Sequence, residues 1–173
     1  QRVEVVLGAR WDEIDEEQKL WAVPLSRRKS RRFSRGPHVV PLNQTALQII
    51  ARQRGRSGDS EFLFPVEVRS ARAEHLHVDR LWSVLRAWIE AAKFPLTFAP
   101  RDLRQTWHAR AGELGLSKEI RDRIQDRPPN DIGAKHYDSY DYLDEKRRAL
   151  DAWDQRLRSI REGATVVPIR RAS

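Results

Sequence analysis

Residues 38–50 read His38-Val39-Val40-Pro41-Leu42-Asn43-Gln44-Thr45-Ala46-Leu47-Gln48-Ile49-Ile50, a strand, a stop and a helix in that order. The β-branched pair Val39 and Val40, closed by a proline where the lost amide donor does least harm, predicts a short strand from His38 to Leu42. Asn43 is then a good N-cap for a helix in which Ala46, Leu47, Ile50 and Ala51 share one face, and Gly55 stands where that helix can stop. Upstream, Leu20-Trp21-Ala22-Val23-Pro24 repeats the pattern of a short strand ended by proline. The apolar run Val3 to Ala9 leads into Trp11-Asp12-Glu13-Ile14-Asp15 and alternates as a half-buried strand does. A small antiparallel sheet followed by helix is the expectation for this end of the chain.

Downstream the period changes. Phe62-Leu63-Phe64-Pro65 reads as a buried extended segment. Val78, Leu81, Trp82, Leu85, Trp88 and Ile89 then recur at spacings of three and four, which predicts an amphipathic helix. Leu103, Trp107 and Leu114 continue the helical pattern to Gly115, and Ser117 is placed to cap a short helix carrying Ile120 and Ile124. Pro128-Pro129-Asn130 breaks the chain. A last helix is expected from about Tyr142 to Arg161, with Leu143, Leu150, Trp153, Leu157 and Ile160 on one stripe and Gly163 just past its end. The six Trp mostly fall on these stripes and read as core. The fold expected is α+β and mostly α: a helical domain over residues 1–162, with its small antiparallel sheet near the N-terminal end, and a tail over residues 163–173.

Charge narrows the function. The chain has 33 Lys and Arg against 25 Asp and Glu, a net charge of +8, and a sequence pI near 10.4. That balance favours a polyanionic partner, nucleic acid first. Much of the positive charge sits in a polar loop from Ser26 to Pro37, which holds Arg27, Arg28, Lys29, Arg31, Arg32 and Arg35. The absence of Cys excludes a disulfide framework, a thiolate metal site and cysteine nucleophiles. No apolar run approaches bilayer length, so a soluble, cytoplasmic protein without membrane contact is expected. With no Met at any position, not even the first, the chain reads as a fragment.

Four pieces raise the specificity above composition: Arg2 before an apolar run that ends in Arg10-Trp11, Lys29 in a hairpin loop, Arg101-Asp102-Leu103-Arg104-Gln105-Thr106, and Tyr137 beyond them. The segments QRVEVVLGARWDEID, HVVPLNQTAL, APRDLRQTW and AKHYDSYDYL resemble the corresponding stretches of tyrosine recombinases, particularly integrases of prophages and genomic islands, and the likeness covers roughly residues 1 to 160. The resemblance implies the catalytic domain of such an enzyme, with an arm domain and the first catalytic helices belonging before Arg2. It also implies a duplex DNA attachment site as partner, a tetramer on that DNA which exchanges a C-terminal segment, and no cofactor.

The chemistry explains the residue types. A phosphodiester is anionic and shielded from nucleophiles, so cleavage needs guanidinium groups on its non-bridging oxygens. By resemblance Arg2 and Arg104 take that role, and Tyr137 is the nucleophile that leaves a 3′-phosphotyrosyl enzyme and a free 5′-hydroxyl. Tyr140 is the local competitor, but Tyr137 follows Ala134-Lys135-His136 and stands ten positions after Arg127, the phase the family has. A phenol ordinarily titrates near 10, so cations must favour the phenolate, and Arg101, Arg104 and Arg127 are placed to do so. Lys29 matches the hairpin lysine that protonates the departing 5′-oxygen, with Arg28 and Arg31 of the same loop as the alternatives. Arg27, Arg28, Arg31 and Arg32 are expected to meet the DNA backbone.

The chain departs from the family pattern in three places. Arg101 stands where a His is usual, Arg127 where a His or Trp is usual, and Val5 where an acidic residue is common. Guanidinium does not act as a base near neutral pH, although it holds phosphate well. A decayed integrase that binds DNA without cleaving it is therefore the alternative expectation, and a basic helical nucleic-acid protein outside the family is a third. The histidines lack metal-ligand spacing, and neither a glycine-rich phosphate loop nor a Gly-x-Ser-x-Gly elbow is present.

Overall fold

The computed structural model describes residues 1–33, 36–70, 73–128 and 140–163. Helix α1 (Val3–Leu7) and a 3-10 turn (Trp11–Glu13) lead into strands β1 (Ile14–Asp15), β2 (Leu20–Val23) and β3 (His38–Pro41). Helix α2 (Gln44–Ser57), the hairpin β4 (Pro65–Ser70) and β5 (Ala73–His75), and helices α3 (Val78–Ala91), α4 (Pro100–Glu113), α5 (Lys118–Ile124) and α6 (Leu143–Arg161) follow. The sheet is antiparallel in the order β1-β2-β3, with Trp21 opposite both Ile14 and Val40, and Val23 opposite His38.

Period two explains the sheet's place. Trp21 and Val23 on β2 are buried while Leu20 and Ala22 are less so, and the buried face meets Ala9, Val40, Leu42, Ile50 and Leu63. A second apolar cluster joins α4, α5 and α6 through Trp107, Ala111, Ile124 and Ala149, with the Trp107 and Trp153 rings edge to face. Leu150 of α6 packs against both clusters. Two polar bonds hold the same helix to the sheet and to α2: the Lys146 ammonium donates to Val39 O at 3.0 Å, and the Asn43 amide donates to Leu150 O at 3.2 Å. Asn43 Oδ1 meanwhile accepts from Ala46 N at 2.9 Å, as an N-cap does.

Several expectations are corrected. Val3 to Leu7 is helix, not strand. A short apolar run carries no period long enough to separate the two, and in the fold Arg27 donates from Nη1 to Val5 O and Gly8 O at the helix end. A Cβ on Gly8 would lie 2.9 Å from that nitrogen, so a larger residue there would displace the Arg27 guanidinium. Helix α2 runs through Gly55 to Ser57, and the left-handed turn falls at Gly58, φ 54°. The hairpin β4–β5 had no counterpart in the sequence reading. On the apolar stripe of α3, Ile89 is buried and Val78, Leu81, Trp82 and Leu85 are partly buried, but Trp88 is about half exposed and so is not core. On α6, Leu150 and Trp153 pack inward while Leu157 and Ile160 are exposed.

Glu13 is the buried charge that joins the first turn, β2 and the basic loop. Its Oε2 accepts from Trp21 Nε1 at 3.0 Å and pairs with Arg27. Glu13→Ala is expected to lower stability by about 3–5 kcal/mol, because a half-buried guanidinium and an indole N–H lose their acceptor. Urea unfolding measures this, and adding Arg27→Met should return part of the loss by removing the stranded charge.

Candidate functional site

Helix α4 begins with Pro100 at a position where its missing N–H is harmless, and Asp102 Oδ2 accepts from Ala99 N at 2.8 Å to close the first turn. Arg101 and Arg104, three residues apart, therefore leave the same side of the helix near its positive end. Arg101 is 83% exposed and its nearest acid is Asp102 at 3.8 Å. Arg104 is half-buried and turns toward the end of α5. Its Nη2 donates to Gln125 O, and Gln125 Nε2 donates back to Arg104 O at 2.7 Å.

The turn after α5 gathers two more arginines. Arg127 donates from Nε to Gln125 Oε1 at 2.9 Å and lies 3.6 Å from Asp122. Arg2 donates from Nη2 to Asp126 O at 3.3 Å, and its Nη1 lies 3.6 Å from Asp126 Oδ2. Burial first, then the charges of Arg2 and Arg127, lower the Arg104 pKa to about 10. Arg104 Nη1 is buried with no hydrogen-bond partner. A guanidinium crowded by like charge, with a donor left over, is what an anion site looks like before the anion arrives.

Beside this cluster lies a cleft of about 430 Å³ that Arg2, Arg101 and Arg104 line with Glu4, Asp79 and Trp82. Arg2, Arg101 and Arg104 thus border one cleft, and Arg127 joins Arg104 through Gln125. Lys29 is exposed in a turn between Arg28 and Ser30. Tyr137 lies outside the described residues.

Of the arginines expected to meet DNA, two are committed inside the chain. Arg27 is bonded to Val5 O, Gly8 O and Glu13, and Arg28 pairs with Asp126 and donates to Gly36 O at 2.6 Å. Composition does not separate such internal cations from surface ones; only their partners do. Arg31 and Arg32 are exposed on a 3-10 turn.

Sequence reasoning passed over Ser30, Gln125 and Asp126, all buried polar residues at the centre of the site. The one available signal was a Gln-Asp pair where an apolar helix stripe ends. His108 was passed over too; it lies 3.8 Å from Asp122, and burial, then Arg127 and Arg121, lower its pKa. Among the described residues no group of three or more His, Asp or Glu is placed to hold a metal ion, and no helix is long and apolar enough to cross a membrane.

Residues 1–119 match the Phage integrase family. The chain belongs to that family. It is 24% identical over 159 residues to the prophage integrase IntA of Escherichia coli (strain K12), which covers 92% of this chain and 36% of that protein. It is 29% identical over 155 residues to the integrase of Enterobacteria phage P4, covering 84% of this chain and 34% of that one. The chain therefore spans about a third of the length of the curated relatives it matches. No solved structure matches. The family match includes Arg2, Lys29, Arg101 and Arg104 and ends before the turn that holds Asp126 and Arg127.

Near the cluster, His38 is buried with Nε2 3.1 Å from Ile124 O, and burial lowers its pKa to about 4 against the pull of Asp126. The native state thus keeps this imidazole neutral, whereas the unfolded chain protonates it below its ordinary value of 6.5. Stability is complete above that ordinary value and falls as pH drops toward the folded value. From about pH 6.5 to about pH 5 the loss is about 2 kcal/mol at 1.36 kcal/mol per unit. Urea midpoints measured across that window should show it, and His38→Gln should flatten the dependence.

Proposed function

We propose that this chain carries the DNA cleaving and rejoining chemistry of a site-specific recombinase, with Tyr137 as the nucleophile. The observation that carries the reading is the convergence of Arg2, Arg104 and Arg127 on one turn, with Arg104 Nη1 buried and unpartnered. Two guanidiniums, Arg2 and Arg104, hold the non-bridging oxygens of the scissile phosphate. Arg127 adds charge behind them, and Arg101 reaches the phosphate from the helix end. The Tyr137 oxygen attacks phosphorus and loses its proton to water as the bond to the 5′-oxygen breaks. Lys29 gives that oxygen a proton and regains one from solvent. The reverse steps rejoin the strand, so the bond energy is conserved in the phosphotyrosine. The partner is a duplex attachment site, engaged by several copies of the protein.

A second reading is supported by Arg101, at a position where the family usually has His, and Arg127, where it usually has His or Trp, since neither guanidinium shuttles protons. In that reading the arginine cluster still binds phosphate but no strand is cut.

Covalent capture separates the two. A pool of nicked suicide duplexes of randomised sequence should yield an adduct that survives denaturant. Tyr137→Phe should abolish it without weakening DNA binding, while Tyr140→Phe should leave it intact. Adduct formation by the Tyr137→Phe protein would reassign the nucleophile, and a parent chain that binds but never captures DNA would favour the second reading.

Binding itself should be salt dependent, with a log-log slope of about −4 to −7 if about five to eight phosphates are contacted. Arg31→Ala with Arg32→Ala should make the slope shallower by about 2, because each lost contact returns about one counterion. Fluorescence anisotropy across a salt series measures both.

A further inference from the structure

The two residues that flank Lys29 are fastened to one carboxylate. Arg28 Nη2 pairs with Asp126 Oδ1, and Ser30 Oγ lies 2.7 Å from both Asp126 oxygens, donating its one hydrogen between them. Arg28 also reaches across the loop to Gly36 O at 2.6 Å, closing the segment on itself. On its other side Asp126 Oδ2 faces Arg2 Nη1 at 3.6 Å. Ser30 is 5% exposed and Asp126 7%, while Lys29 between the two anchors is exposed. A loop tip held at both neighbours has few directions in which to present its side chain.

The backbone makes Asp126 available for this. Its φ is 53°, in the left-handed region that Asp and Asn enter more readily than other side chains. The turn ends α5 and sends the carboxylate back under the β2–β3 loop. Burial opposes the charge on Asp126, but the bonds from Arg28 and Ser30 outweigh it and the pKa lies below the ordinary value. A carboxylate is needed because it accepts on both oxygens with no donor of its own, whereas an amide would turn N–H groups toward Arg28 or Arg2.

We propose that Asp126 is a positioning residue that clamps the β2–β3 loop through Arg28 and Ser30 and so sets the Lys29 ammonium beside the arginine cluster. This rests on the reading of Lys29 as proton donor to the leaving 5′-oxygen. The clamp acts through Lys29, not on the phosphate. Its loss therefore slows only a reaction that needs the proton.

Asp126→Asn keeps the side-chain shape and the tolerance for positive φ, and Ser30→Ala removes one of the two ties. Endoproteinase Lys-C reads the clamp directly. Cleavage after Lys29 should rise at least about tenfold in Asp126→Asn and less in Ser30→Ala, while cleavage after the exposed Lys93 stays constant and reports intact folding. For function, adduct formation is timed on a duplex recovered from the randomised pool and on the same duplex with sulfur in place of the bridging 5′-oxygen. A thiol titrates near about 8.5, so a thiolate departs without the proton an alkoxide requires. Asp126→Asn should be about 10²-fold slow on the oxygen duplex, the size of a lost general acid. On the sulfur duplex both it and Lys29→Ala should recover to within a few fold of the parent, while Arg104→Ala should stay slow. An unchanged Lys-C rate at Lys29 would overturn the clamp, and an equal loss on both duplexes would mean that Asp126 acts through Arg2 instead. A parent protein that captures neither duplex would overturn the recombinase reading, and with it the role of Lys29, whatever the protease shows.

Discussion

A buried carboxylate must find its counter-charge inside the protein, and the architecture around Asp126 follows from that demand. With 7% of its surface exposed, Asp126 draws Arg28, Ser30 and Arg2 to one point. Those residues come from a loop between strands and from the first residues of the chain, more than ninety positions away in sequence. The bond network therefore joins segments that no local preference would bring together. Gln125 repeats the arrangement one residue earlier, with Arg104 on its backbone and Arg127 on its side chain. Two buried polar residues at one helix end thus organise three of the arginines on which the chemistry would depend.

The apolar structure holds that helix end in place. Ile124 is buried against Trp107, Ala111 and Ala149, so α5 is fixed between α4 and α6. Helix α6 in turn reaches the sheet through Leu150 and through Lys146, whose ammonium is spent on a β3 carbonyl. Arg104 and Trp107 lie three apart on α4, and the ring that packs the core sets the direction of the guanidinium one turn before it. Rigid packing behind and a crowded cationic surface in front is the arrangement in which electrostatic preorganisation is strongest.

Arg127 and Arg101 each sit in this cationic crowd without an uncompensated buried charge. Arg127 has a carboxylate neighbour in Asp122 and an acceptor in Gln125, so its charge is partly met within the chain. Arg101 is exposed and meets solvent. Neither arginine is a buried unpaired charge, which is the outcome that would have cost the fold most.

By itself the sequence determined the elements whose signals are local: the β2 and β3 strands, the Asn43 and Ser117 caps, the amphipathic α3 and the long α6. Period, capping chemistry and proline placement act over a few residues, and they are read without knowing the neighbours. The arginine box on α4 and the family were legible for the same reason, since the residue types and their order survive without geometry. What only the tertiary structure decided was partnership. Val3 to Leu7 is a helix whose end meets the distant Arg27. Whether a basic residue faces solvent or an internal acid turned on Glu13 and Asp126, and whether an apolar stripe is core turned on what covers it. These are contacts between residues far apart in the chain. Their energy depends on burial and distance, which a linear pattern does not contain.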